Sequence, residues 1–216
     1  MSLARELIQE LMPRCESCGK PSPPFLCVAC FQKLSFQNRC GDHHGLEAGK
    51  AWDKAHVAFD YDSDVIKAWL WKLKEKAQGE RFLDLQREHL PPQLLDTHYD
   101  GIVAFPGDPL RSNRRLFDVA DYLGIRLSKL LGRPYYPKAF VRKAFLSSLK
   151  DLGAERRRLF IPQLVSLRPE FSVSGCLLLV DDVMTSGASL DWGAQLLKSV
   201  AKRVEVFVLA RKMKSK

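Results

Sequence analysis

The sequence predicts an α/β fold, a parallel sheet flanked by helices, with a small cysteine-rich module in front of it. Three observations carry that expectation. Apolar runs with the length and bounds of buried strands recur at 100–106, 177–180 and 204–209, as in strands covered on both faces. Helical periodicities lie between them, which suits parallel strands joined by right-handed crossovers. Five of the six cysteines fall in the first 40 residues, outside that alternation. A chain of 216 residues has room for one good domain and a small appendage. The division expected is residues 1–50 and 51–216.

Taken in order, Leu3, Leu7, Ile8 and Leu11 have the spacing of a short amphipathic helix. Arg5, Glu6, Gln9 and Glu10 in the same stretch argue against a signal peptide. Next come Cys15-x2-Cys18 and Cys27-x2-Cys30, two knuckle spacings in tandem. Four soft ligands in two such pairs match a closed tetrahedral zinc site. Gly19 gives the tight turn that lets backbone N–H groups face metal-bound thiolates. The segment Gly19 to Leu26 holds three prolines and little that packs, so metal binding would supply its folding energy. A disulfide framework competes but suits a secreted chain. Redox chemistry at one CxxC also competes, and a second CxxC so close favours metal. Cys40 and His43, in Cys-Gly-Asp-His-His, offer a replacement knuckle or a degenerate second site and read best as the remnant of a third CxxC. Cys176 reads as a buried small residue.

Alternation at 55–61 predicts a strand. Over 64–77, Val65, Ile66, Trp69, Leu70 and Leu73 form one helical stripe, with Lys67, Lys72, Lys74 and Lys76 outside it. Trp69 lies on the stripe and belongs to the core, whereas Trp71, among lysines, is open to base stacking. A polar link through Pro91-Pro92 leads to a buried strand from Asp100 that runs into a loop at Pro106. Leu116, Val119, Ala120, Leu123, Leu127 and Leu130 mark a long helix ending near Gly132. Residues 133–170 are basic and poorly periodic. The strand from Leu177 to Val180 then ends in two carboxylates, Asp181 and Asp182. Thr185-Ser186-Gly187-Ala188-Ser189 follow, and Leu190, Ala194, Leu197 and Ala201 recur at helical spacing. Val204 to Leu209 closes the chain as a strand.

Hydrophobic content of 46% with 27% charged residues is globular composition. No apolar run approaches the ~20 residues of a membrane span, and a cytoplasmic protein is expected. The net charge of +9 is unevenly placed. Residues 1–50 carry six basic and five acidic side chains, 51–100 seven and ten, and 101–216 carry 21 against 10. Basic clusters occur at Arg111/Arg114/Arg115, Arg142/Lys143, Arg156–Arg158 and the tail. Such a field concentrates phosphorylated ligands, whether nucleotides or nucleic acid. The tail reads as solubilising; the arginines have planar forks that suit phosphate.

Strand, acidic pair, hydroxyl-rich turn and helix form the layout of a ribose-phosphate site. Backbone N–H groups at a helix start wrap a phosphate, and carboxylates accept hydrogen bonds from vicinal ribose hydroxyls. An ordinary turn capped by Ser or Thr competes, and the full string at this place speaks against it. The stretch resembles the 5-phosphoribosyl diphosphate (PRPP) motif of type I phosphoribosyltransferases, with Ser186 and Ser189 where that motif usually has Thr. Together with the cysteine pairs it resembles the ComF family, phosphoribosyltransferase-like proteins linked to DNA uptake in natural transformation. The resemblance extends to Phe59-x-Tyr61, to Leu73-Lys74 and to the strand ending at Pro106. It departs at Arg115-Leu116-Phe117-Asp118-Val119, where the family has Arg-Gly-Phe-Asn-Gln. It departs again at 145–160, which keeps Ser147, Ser148 and Arg156–Arg158 but lacks the family's Gln and Asn.

The resemblance implies a type I phosphoribosyltransferase-like domain that binds PRPP as its Mg²⁺ complex, or a nucleotide. The 5′-phosphate would lie on Thr185, Ser186, Gly187, Ala188 and Ser189, and the ribose on Asp181 and Asp182. The diphosphate would meet the loop from Phe105 through Gly107 to Arg111. In an enzyme, displacement at C1 passes through an oxocarbenium-like state that needs positioning and charge stabilisation. Arg111, Arg115 or Arg156 would then neutralise the leaving diphosphate, in nucleotide salvage or metabolism. The rival is a binding module that serves the DNA-uptake machinery and single-stranded DNA without turnover, favoured by the lost loop residues and the basic excess. A third reading is a regulator that senses PRPP or nucleotides.

Overall fold

The computed structural model describes residues 13–15, 17–22, 26–34, 36–42, 50–76, 90–109, 118–143 and 154–212. Helix α1 (Val28–Phe31) lies in the cysteine-bearing segment. Strand β1 (Phe36–Asp42) then runs antiparallel to β2 (Lys54–Asp60). Helices α2 (Asp64–Lys76) and α3 (Pro92–Asp96) precede β3 (Gly101–Ala104) and α4 (Val119–Leu131). Next come β4 (Phe140–Arg142), α5 (Ala154–Leu164) and β5 (Val165–Leu167). Strand β6 (Cys176–Met184), helix α6 (Ala188–Leu197) and β7 (Arg203–Arg211) complete the chain.

The main sheet has the order β1-β2-β7-β6-β3. Strands β2, β7, β6 and β3 are parallel, and β1 is an antiparallel edge. Because side chains alternate along a strand, β6 sends Leu178 and Val180 into one core and Leu177 and Leu179 into the other. The first core takes the expected stripe of α2, Ile66, Trp69, Leu70 and Leu73, with Leu94 of α3 and Leu123 and Leu127 of α4. The second takes Ile161 and Leu164 of α5 and Leu190, Ala194 and Leu197 of α6. Helices thus cover both faces of a four-stranded parallel sheet. Cys15, Leu26 and Cys30 of the cysteine segment pack into the α2 side of this core. Among the described residues no helix is long and apolar enough to cross a membrane.

Several boundaries differ from the sequence reading for identifiable reasons. Strand β6 does not stop at Val180, because its pairing with β7 continues to Met184 opposite Arg211 and carries the carboxylates inside the strand. Helix α6 closes at Leu197, and Ala201 belongs to the turn into β7. The poorly periodic 133–170 stretch contains β4, α5 and β5, with β4 antiparallel to β5. Each of these two strands has three residues and one buried side chain, and α5 carries Pro162 in its last turn, so no period develops. Cys176 is half-buried, and its N–H donates to Asp100 Oδ2 at 2.7 Å. Helix α4 ends, as expected, at Gly132, with φ of +64°.

One polar cluster lies inside the α2 side of the core. His56 and Glu205 are fully buried, with His56 Nε2 2.7 Å from Glu205 Oε2. Tyr99 donates its hydroxyl to the same oxygen at 2.7 Å, and Arg203 pairs with Oε1. Burial pushes the Glu205 carboxyl up, but hydrogen bonds from His56 and Tyr99 outweigh it and hold the group below its ordinary range. Glu205 lies near the amino end of β7, away from the Asp181 and Asp182 end of the sheet.

Candidate functional site

Parallel sheets flanked by helices leave a crevice at the carboxyl ends of their strands, and β6 brings Asp181 and Asp182 there. Asp181 lies opposite Val208 on β7. Both carboxylates are half-buried and tied to the backbone. The Asp182 N–H donates to Asp181 Oδ1 at 2.8 Å, and the Val183 N–H to Asp182 Oδ1 at 2.6 Å. Lys74 reaches in from α2 and pairs with Asp182. Burial and the neighbouring Asp182 carboxylate push the Asp181 carboxyl well above its ordinary range, against the pull of Lys74. A third carboxylate, Asp118, caps α4 by accepting the N–H groups of Ala120 and Asp121 at 3.0 and 3.2 Å. Burial raises Asp118 too, and the Asp182 charge adds to the rise. Three carboxyl groups thus influence one another at this end of the sheet, with Lys74 paired to one of them.

The sequence expectation missed Lys74 and Asp118 as parts of this region. Asp118 before Val119-Ala120 is a readable helix cap, whereas the reach of Lys74 depends on how α2 packs. The loop after β3 runs against Asp118. A Cβ added at Gly107 would stand 2.5 Å from Asp118 Oδ2, so a side chain there would displace the Asp118 carboxylate. Arg142 of β4 donates to the Pro106 carbonyl at 2.7 Å and pins the same loop. Arg111 and Arg115 lie outside the described residues. Arg156 is exposed on α5.

Beyond Asp182 the chain turns through Thr185 and Ser186 into α6. Gly187 is the N-cap, with φ of +70°, and as a glycine it brings no side chain to cap the helix. The first N–H groups of an α-helix have no acceptor within it, so the start of α6 presents Ala188 and Ser189 N–H groups with the positive end of the dipole. The residue at the N-cap is Gly187 and not a Ser or Thr. The two carboxylates lie near the carboxyl end of β6, and Thr185 to Ser189 follow after Val183 and Met184, leading into α6.

The four cysteines of the knuckles also converge. The Sγ atoms of Cys15, Cys18, Cys27 and Cys30 all lie within 4.8 Å of one another, and Cys18 and Cys27 are 3.7 Å apart. Tetrahedral zinc with Zn–S bonds of about 2.3 Å separates its sulfurs by about 3.8 Å, so the four thiols fit that ion. Local structure explains the convergence. Gly19, with φ of +74°, closes a turn whose N–H reaches Cys15 O at 2.8 Å. Cys27 opens α1, and the Cys30 N–H returns to Cys27 O at 3.0 Å. Burial opposes ionisation of Cys15, but backbone N–H groups of Cys18 and Cys27 bring its thiol down to about 6. Burial and the adjacent sulfurs push Cys30 up to about 12. The module leans on α2, where Lys72 donates to the Ser17 carbonyl at 3.3 Å. Cys40 pairs through its backbone with His56, as part of β1, and His43 lies outside the described residues.

No protein-family model matches this chain, and no curated protein matches its sequence. The function must be argued from its own residues.

Proposed function

We propose that this chain is a ComF-like protein with a type I phosphoribosyltransferase-like domain that binds PRPP or a nucleotide phosphate. The observation that carries this is the glycine N-cap of α6 at Gly187, three residues beyond a buried strand that bears two carboxylates. The helix start takes the 5′-phosphate, with the Thr185, Ser186 and Ser189 hydroxyls completing its shell. Asp181 and Asp182 take the ribose hydroxyls or a Mg²⁺ ion that accompanies the diphosphate. They would repel the phosphate if they faced it, so they reach sideways. The four cysteines hold one structural zinc.

The role supported best is handling of incoming single-stranded DNA in uptake, because basic side chains exceed acidic ones by 21 to 10 after residue 100. The test is thermal unfolding of the protein with PRPP, with nucleotides and with an oligonucleotide, each with and without Mg²⁺. PRPP should stabilise only with Mg²⁺. The oligonucleotide should bind with an affinity that falls steeply as salt rises. An oligonucleotide affinity that stays flat with salt contradicts the nucleic-acid role alone; no shift with any phosphorylated ligand contradicts the site.

Replacing Asp181 by Asn separates stability from binding. A carboxyl whose folded pKa lies above its unfolded value costs stability as pH rises above the unfolded value, so a penalty is present at neutral pH. Asp181→Asn should therefore raise the melting temperature at neutral pH, by about 2–4 °C for each kcal/mol recovered. The same variant should weaken ribose 5-phosphate more than inorganic phosphate. A lower melting temperature at neutral pH contradicts the raised pKa.

A further inference from the structure

Lys50 was not among the residues the sequence singled out. Its side chain is only 5% exposed, and it lies beside the start of α6. Its Nζ is 3.4 Å from the Ser186 carbonyl oxygen and 3.7 Å from Asp191 Oδ2. The ammonium also stands over the Trp52 ring, 5.6 Å from its centroid. Asp191 is in the first turn of α6, and its Oδ1 accepts the Ala51 N–H at 2.8 Å. Residues 50 and 51 are thus bolted to the turn that ends at Gly187.

The electrostatics of this placement point to an anion. A cation beside a helix N-terminus opposes the dipole, and burying an ammonium costs free energy that an ion pair at 3.7 Å recovers in part. Asp191 offsets the cost, and a phosphate at the same helix end would offset it further, since three positive features would then converge on one dianion. We propose that Lys50 is a positioning residue of the phosphate turn: its buried ammonium holds the Ser186 carbonyl and adds positive potential where the phosphate of the ligand sits. This deepens the proposed function and rests on it. It also assigns Asp191 a role, that of a counter-ion that competes with the ligand for Lys50.

Calorimetric titration of the full chain with inorganic phosphate and with ribose 5-phosphate, alongside melting temperatures, tests this. Lys50→Met should weaken both ligands by about tenfold or more, the scale of one charge-assisted contact. Its ligand-free melting temperature should fall, because Asp191 is left without its cation, so the affinity is read on protein shown to be folded by circular dichroism. Lys50→Arg should recover part of the affinity, which a purely structural role does not require. Should Lys50→Met fail to fold, Asp191→Asn takes over the test. It keeps an acceptor for the Ala51 N–H, removes the competing charge, and should tighten phosphate by about two- to fivefold. Folded Lys50→Met that binds as tightly as the wild type overturns the proposal, as does Asp191→Asn with unchanged or weaker affinity. If the wild type itself binds neither ligand, the phosphate site falls and the role of Lys50 falls with it.

Discussion

Chelation of the metal from freshly purified protein is expected to unfold the 13–34 segment and to lower the melting temperature of the rest. Structural zinc contributes on the order of 10 kcal/mol to the folding of small cysteine modules at neutral pH. Here the effect spreads, because Cys15 and Cys30 belong to the same buried core as Trp69 and Leu73 of α2. Elemental analysis should find about one zinc per chain, and Cys18→Ser/Cys30→Ser should lose it. Full metal retained by that variant would move the ligand set toward Cys40 and His43. Metal-free protein with an unchanged melting temperature would remove zinc from the folding account.

Glu205→Ala is the second large effect. The variant leaves His56 and Tyr99 in a core position with no exposure and deprives Arg203 of its partner. Breaking a buried pair from one side costs about 3–5 kcal/mol, or roughly 6–20 °C in melting temperature for a chain of this size. The pH dependence has a definite sign. Because the folded carboxyl lies below its unfolded value, its contribution is fully present above the ordinary carboxylate range and is lost as pH falls through the folded value. Urea unfolding of wild type and variant across that acid range should converge. A constant difference down to the lowest pH would show that Glu205 stabilises through packing and not through charge.

The core of this fold was readable because it repeats. Val65, Ile66, Trp69, Leu70 and Leu73 share a helical stripe, and all five are buried. Leu177 to Val180 read as a strand covered on both faces, and the two residues of each parity do enter different cores. Strand β1 was not readable, because Phe-Gln-Asn-Arg-Cys-Gly-Asp has no alternation and is held by pairing with β2. The same holds for β4 and β5, which pair with each other at three residues apiece. At the candidate site, Asp181 to Ser189 are contiguous in sequence, so their convergence needed no tertiary knowledge. Lys74, Asp118, Arg142 and Lys50 arrive from four different segments, and only packing brings them to the carboxyl end of the sheet. That difference also explains the cysteines. Four thiols within 16 positions can be read as one site from their spacing, while Glu205 and His56, 149 positions apart, cannot.

Calorimetry of ribose 5-phosphate binding to the wild type and to Gly187→Val tests the phosphate turn most directly. Valine at a φ of +70° is strained and places a branched side chain at the start of α6. Wild type should bind ribose 5-phosphate, and Gly187→Val, still folded by circular dichroism, should lose that binding while it keeps its zinc. Equal affinity in the two proteins, or no binding by the wild type, would contradict a phosphate at the start of α6.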